Sequence, residues 1–309
     1  MSFGPAFVAS GLKNSRVLYS EPMSEHTSFK IGGPCDLLVM PSTPEDAVTV
    51  WTRCREASLP CRVIGNGTNL LIRDGGVRGC LIKMAPGSSG IELLGDSSMR
   101  VAAGTLLPRL VQSALLENLS GLEWAIGIPG SVGGAVTMNA GAYGGDFGSL
   151  VNRVQVATPD GKTFWMRSDE IGFAYRHSIF TERDDLLVLA VDVSLAPGDR
   201  KAIYDVMMTR AKEREEKQPL DVPSAGSAFR RPPGHYVGQM IEQLGLKGFR
   251  IGGAQVSQKH AGFIVNTGNA TSKDVESLLN LIKTKVKESF DVDLQPEVVI
   301  LGEDAPSAS

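Results

Sequence analysis

Apolar residues recur at helical spacing through Ala47, Val50, Trp51, Cys54 and Ala57 and stop at Pro60. Ahead of them Thr43 offers a hydroxyl cap, Pro44 suits the first turn, and Glu45 and Asp46 complement the positive end of a helix dipole. The pattern predicts an amphipathic helix. The apolar run Cys61 to Ile64 reads as a strand that delivers the chain into Gly65-Asn66-Gly67-Thr68-Asn69, a passage suited to ligand binding. Leu107, Leu110, Val111, Ala114 and Leu115 mark one face of a second helix, read as capped by Thr105 and continuing to Glu117.

After the glycine-rich stretch Gly127 to Gly148 the period shortens. Val154-Gln155-Val156 and Thr163-Phe164-Trp165 flank Pro159-Asp160-Gly161-Lys162, a hairpin signal. Leu186 to Leu195 reads as a buried strand ended by Pro197-Gly198. A long charged helix is predicted from Asp199 to Lys217, and Gln218 to Pro223 breaks it, which places the main boundary there and gives the chain a hinge. Beyond it come a helix around Tyr236 to Leu244 and a strand near Gly262 to Val265. A helix from Ser272 to Phe290 follows, striped by Val275, Leu278, Leu279, Ile282 and Val286. Leu294 to Leu301 is predicted as a strand, put at an edge by Pro296, and Glu303 to Ser309 as a polar tail.

A chain of 309 residues exceeds a comfortable single core, so two or three lobes are expected. Its 31 basic and 34 acidic residues give a net charge of −3, which leaves no broad field for a nucleic-acid backbone or an anionic membrane surface. Cys35, Cys54, Cys61 and Cys80 are widely spaced, with no C-x-x-C pair and no histidine at a finger interval. Buried reduced thiols and no metal are expected. No run approaches the roughly 18 apolar residues of a membrane span, and no leader-like segment opens the chain, so a cytoplasmic location is expected.

Gly65-x-Gly67-x-x-Leu70 lacks the third glycine of a dinucleotide fingerprint, and no acidic residue ends a second strand at the required distance. A P-loop is absent as well. What remains is a pair of loops, Gly65 to Asn69 and Gly127 to Ala135, whose small residues would let main-chain N–H groups converge on an anion. Spacing alone leaves tight turns and phosphate cradles both open.

Longer segments carry a resemblance. They are Thr27-Ser28-Phe29-Lys30-Ile31-Gly32-Gly33, Gly65-Asn66-Gly67-Thr68-Asn69-Leu70-Leu71-Ile72 and the run from Ile128 to Gly144. Phe173-Ala174-Tyr175-Arg176, Lys217-Gln218-Pro219, Gly226-Ser227-Ala228-Phe229, Lys259-His260-Ala261-Gly262 and Pro296-Glu297-Val298 follow in order. Over nearly its whole length the chain resembles the UDP-N-acetylenolpyruvoylglucosamine reductase family, known as MurB. The resemblance implies an α+β fold: a two-lobed FAD-binding module of the vanillyl-alcohol-oxidase (PCMH) type over residues 30–197, with lobes at 30–86 and 87–197. A linker helix and a smaller α+β substrate domain at 198–303 and a flexible tail at 304–309 complete it. The compact stretch between Phe180 and Lys217 is similar to the short subtype, which lacks an extra tyrosine-bearing loop.

The family implies FAD held by Gly65, Asn66, Gly67, Thr68, Asn69, Leu70, Ile128, Pro129, Gly130, Ser131, Gly133, Gly134 and Gly141, with NADPH as reductant. The implied reaction reduces UDP-N-acetylglucosamine enolpyruvate to UDP-N-acetylmuramate, a step of peptidoglycan precursor synthesis, in a monomer or weak oligomer. By resemblance Arg176 and Glu297 stabilise charge on the substrate carboxylate side and Ser227 donates a proton to carbon. Lys217 and Arg231 stand as substrate contacts, and His260 reads as structural. Another flavin oxidase or dehydrogenase of the same FAD-binding class is the alternative, and a non-catalytic nucleotide-binding module is the rival from a different class.

Overall fold

Helix Pro44–Glu56 forms where the apolar spacing places it, with the Thr43 hydroxyl accepting the Asp46 N–H and Ala47, Val50, Trp51 and Cys54 buried. The computed structural model describes residues 5–12 and 14–306. They divide into two units that interleave along the chain. One comprises Met1–Tyr19, Leu37–Asn66 and Gly79–Glu213, the other Ser20–Asp36, Gly67–Arg78 and Arg214–Ser309.

The first unit is built on a five-stranded antiparallel sheet in the order Thr163–Arg167, Val151–Ala157, Leu187–Ser194, Ser98–Ala102, Ile91–Leu93. Strand Leu187–Ser194 is buried along nearly its whole length because it lies in the middle of that order. The expected hairpin closes at Thr158, whose N–H donates to the Lys162 carbonyl at 2.9 Å. Strand Cys61–Ile64 runs parallel to 80–83, with Cys61 opposite Cys80.

Two expectations change here. Helix Leu107–Leu116 forms, but Thr105 does not cap it: the N-cap is Leu106, with no side-chain bond. The Thr105 hydroxyl, fully buried, instead accepts the Gly90 N–H at 3.0 Å and donates to the Gly90 carbonyl at 3.1 Å. A buried hydroxyl is consumed by the nearest main-chain partners, and here a neighbouring loop supplied them. The cysteines, widely spaced in sequence, also meet, because parallel register and the last helical turn bring Cys54, Cys61 and Cys80 within 4.8 Å sulfur to sulfur.

The second unit has a four-stranded antiparallel sheet in the order Ser224–Ser227, Phe263–Asn266, Ala254–Val256, Arg250–Ile251. Helix Ser272–Phe290 starts at a capping box of Thr271 and Asp274 and buries Val275, Leu278, Leu279, Ile282 and Val286 in a core with Ile264, Met240 and Val256. Residues 294–301 do not form the single strand expected. Arg230 N–H donates to the Gln295 carbonyl and Glu297 N–H to the Ala228 carbonyl, an antiparallel contact on one side. Only Val299–Leu301 is strand, and it pairs in parallel with Leu70–Ile72 on another partner. Pro296 sits at the centre of the first contact, opposite Phe229, where its neighbours Gln295 and Glu297 make the hydrogen bonds and no N–H of its own is needed; the new partner begins at Val299.

Among the described residues no helix is long and apolar enough to cross a membrane. Residues 307–309 of the expected tail lie outside the described residues.

Candidate active site

Within the first unit the two glycine loops touch. The Asn66 side-chain amide donates to the Pro129 carbonyl at 2.8 Å. A Cβ on Gly65 would stand 2.3 Å from the Ser131 hydroxyl, so only glycine allows this approach. Ser131 is buried and caps the short helix Val132–Thr137, its hydroxyl accepting the Gly134 N–H at 3.3 Å. The amides of Val132 and Gly133 are spent on the carbonyls of Thr105 and Ala103 at 2.8 Å each. Among the described residues the N–H groups of Gly65, Asn66, Gly130 and Ser131 find no protein acceptor. Main-chain donors of this kind, at the meeting of two loops, are the groups that could hold an anion without a lysine.

The remainder of the first loop belongs to the second unit and is held by other strands. Gly67 takes φ +74 beneath the His26 carbonyl, which a Cβ there would meet at 2.1 Å, and its own carbonyl accepts the Ser28 N–H at 3.1 Å. The Asn69 side chain donates to the Glu297 carbonyl at 3.0 Å, and its carbonyl accepts the Val299 N–H at 2.9 Å. Leu70 then starts the strand beside Val299.

Arg176 lies in the first unit at the tip of a tight turn closed by reciprocal hydrogen bonds between Ala174 and His177, both 3.1 Å. The turn demands a left-handed residue, and Arg176 takes φ +54, a strained value for an arginine. Its guanidinium donates to the Gly141 carbonyl at 3.0 Å and lies 5.2 Å from the Tyr175 ring centroid. Asn139 fixes the turn: buried, its side chain donates to the Ala174 carbonyl at 2.9 Å and accepts the Gly148 N–H at 2.8 Å. Sequence reasoning did not single Asn139 out as a site residue. The available signal was an asparagine in a glycine-rich run, suited to its positive φ of +40.

In the second unit Ser227 ends strand Ser224–Ser227 opposite Phe263, exposed, its hydroxyl making no hydrogen bond among the described residues. Phe29, Ile264, Val275 and Leu279 line a small apolar cavity with it. Glu297 is one residue over, its N–H on the Ala228 carbonyl at 2.9 Å. The sheet edge thus brings Ser227 and Glu297 onto adjoining segments. Lys217 is the exposed last residue of helix Arg200–Lys217. Arg231 stacks 3.9 Å from the Tyr236 ring centroid and donates to the His235 carbonyl at 3.3 Å. His260 accepts the Gly262 N–H through Nδ1 at 3.0 Å and stands edge-on to Phe263, and burial holds its imidazole below the ordinary range.

Residues 35–167 match a family model described as FAD binding domain, and residues 218–301 match one described as UDP-N-acetylenolpyruvoylglucosamine reductase, C-terminal domain. A UDP-N-acetylenolpyruvoylglucosamine reductase of Syntrophomonas wolfei is 47% identical over 95% of this chain and 97% of its own length. One of Clostridium botulinum is 46% identical over 94% of each. The crystal structure of the reductase (MurB) from Thermus caldophilus superposes with a TM-score of 0.79 at 35% identity, covering 94% of this chain and 99% of that one.

Proposed function

The chain belongs to the UDP-N-acetylenolpyruvoylglucosamine reductase family, and from that premise we propose that it reduces UDP-N-acetylglucosamine enolpyruvate to UDP-N-acetylmuramate with FAD and NADPH. The fold is α+β, an FAD-binding module of the vanillyl-alcohol-oxidase type followed by a C-terminal domain. One observation in the geometry carries the reading: the 2.8 Å bond from Asn66 to Pro129, which draws together loops whose amides at Gly65, Asn66, Gly130 and Ser131 have no protein acceptor among the described residues. Such donors fit a pyrophosphate. Ile128, Pro129 and Gly141 are the further cofactor contacts assigned in the first unit, and Gly67, Thr68, Asn69 and Leu70, assigned by family resemblance, lie in the second. The amides of Gly133 and Gly134 serve the protein, so their part is to keep the backbone close rather than to donate.

Held by these loops, FAD would supply the hydride for the enolpyruvyl group, with NADPH as the source that restores it. Hydride arriving at the terminal carbon leaves negative charge on the neighbouring carbon and its carboxylate. Arg176, permanently cationic and planar, stabilises that charge with paired donors. Glu297 assists it, and the Ser227 hydroxyl, with no hydrogen bond among the described residues, gives its proton to the carbon. Lys217 and Arg231 contact the nucleotide sugar. The enzyme works in the cytoplasm as a monomer or weak oligomer, on a small-molecule substrate and without nucleic acid.

A visible spectrum tests the whole proposal. Purified protein should be yellow, bleach with anaerobic NADPH and regain colour on adding the enolpyruvyl sugar. Protein that stays colourless after incubation with FAD, or bleached flavin that the sugar fails to reoxidise, would overturn it.

A further inference from the structure

We infer that Cys54, Cys61 and Cys80 form a binding site for a trivalent, thiophilic metalloid of the arsenous acid class. The three sulfurs lie within 4.8 Å of one another, and among the described residues no histidine or carboxylate joins the group. The backbone sets this arrangement. Cys61 and Cys80 are register partners on parallel strands, so their side chains share a face. The Cys80 N–H donates to the Pro60 carbonyl, and the Cys54 carbonyl accepts the Leu59 N–H, both at 2.8 Å. Gly79, at φ +88, permits the first of these contacts, since a Cβ there would stand 2.2 Å from the Pro60 oxygen. Cys54 and Cys80 are 1% exposed, while Cys61 is half-buried and gives the site its opening.

Ligand count and charge choose the occupant. Zinc in a structural site takes four ligands, and only three are present. A monovalent or divalent soft cation held by three thiolates would leave net negative charge in a largely buried place, which is costly. A trivalent centre leaves none. Arsenous acid exchanges its three hydroxyls for three sulfurs: three S–H and three As–O bonds break, three As–S bonds form, and each thiol proton leaves with a hydroxyl as water. Arsenic keeps its oxidation state, so no oxidant or reductant enters. In the competing description the thiols are small apolar residues filling the core.

Arsenite added to the FAD-loaded full-length protein decides between them. The native mass should rise by one arsenic less three hydrogens per chain, and Cys61→Ser should weaken binding by at least ~10-fold. Cys35→Ser, which alters a buried cysteine outside the cluster, should bind like the unaltered protein. A second measurement avoids any folding defect of the variants: in unaltered native protein, arsenite should shield Cys61 from iodoacetamide. No saturable uptake, equal uptake by Cys61→Ser, or alkylation of Cys61 at an unchanged rate would each overturn the inference.

Discussion

Arg176 donates to the carbonyl of Gly141 at 3.0 Å, so the arginine assigned to the substrate carboxylate is tied to a glycine assigned to the flavin. Lysine in its place keeps the charge but loses the planar fork that can hold a carbonyl and a carboxylate together. Arg176→Lys should slow reoxidation of reduced flavin by the enolpyruvyl sugar roughly 10²-fold while leaving reduction by NADPH near its original rate. Stopped-flow absorbance of the two half-reactions checks this, and equal slowing of both would remove Arg176 from its role.

Asn139 holds the Arg176 turn through two main-chain bonds, at 2.9 Å to Ala174 and 2.8 Å from Gly148. Asn139→Ala leaves the Gly148 N–H without its acceptor and takes one of two donors from the Ala174 carbonyl, which keeps the His177 N–H, and it leaves positive φ without a compensating side-chain bond. A loss of about 1–2 kcal/mol is expected, read as a lower urea midpoint at unchanged slope.

Ser227 is exposed and its hydroxyl is not used internally, so Ser227→Ala should leave stability within about 0.5 kcal/mol. Bleaching by NADPH should survive, whereas reoxidation by the sugar should fall about 10²-fold or more. Equal damage to both steps would show that serine is not the acid.

Gly65→Ala sets a methyl 2.3 Å from the Ser131 hydroxyl oxygen, so either that hydroxyl turns away from the Gly134 N–H it caps or the loops part. FAD affinity should drop about 10-fold or more, measured by fluorescence titration of apoprotein. Removing the hydroxyl as well, in a Gly65→Ala and Ser131→Ala double variant, leaves the Ser131 Cβ at 3.6 Å, an ordinary contact. Affinity should partly return, and a double variant no better than the single would locate the damage elsewhere.

His260 provides a pH signature. Protonation at Nδ1 would set a donor against the Gly262 N–H, and burial already lowers the folded pKa. The unfolded chain therefore takes up the proton first as pH falls. The histidine's contribution is full above the ordinary imidazole value of about 6.5 and is lost as pH drops below it toward the lowered folded value. His260→Gln should flatten that part of the urea-midpoint profile against pH, and an unchanged profile would count against the account.

Legibility followed the range of the forces involved. Helices Pro44–Glu56 and Ser272–Phe290 were readable because their caps and apolar stripes are local. Thr105 misled because its side chain answers to Gly90, a partner no spacing rule announces. The strand at residues 294–301 was overdrawn because its two ends pair with different neighbours, Phe229 and Leu70–Ile72. The cysteine cluster was invisible for the same reason, since register between strands sets it. The glycine loops were visible as loops, but Gly65 against Ser131 is a contact across dozens of residues, and family resemblance rather than spacing had pointed to its purpose.

Strand Leu70–Ile72, which directly follows the first glycine loop, has its parallel neighbour in Val299–Leu301. During translation the chain must therefore emerge as far as Leu301 before that neighbour exists, and the loop's trailing half waits on a stretch made long after it. A message cut short before Val299 yields a protein that has lost the brace beside this turn, although every codon of the turn itself was read.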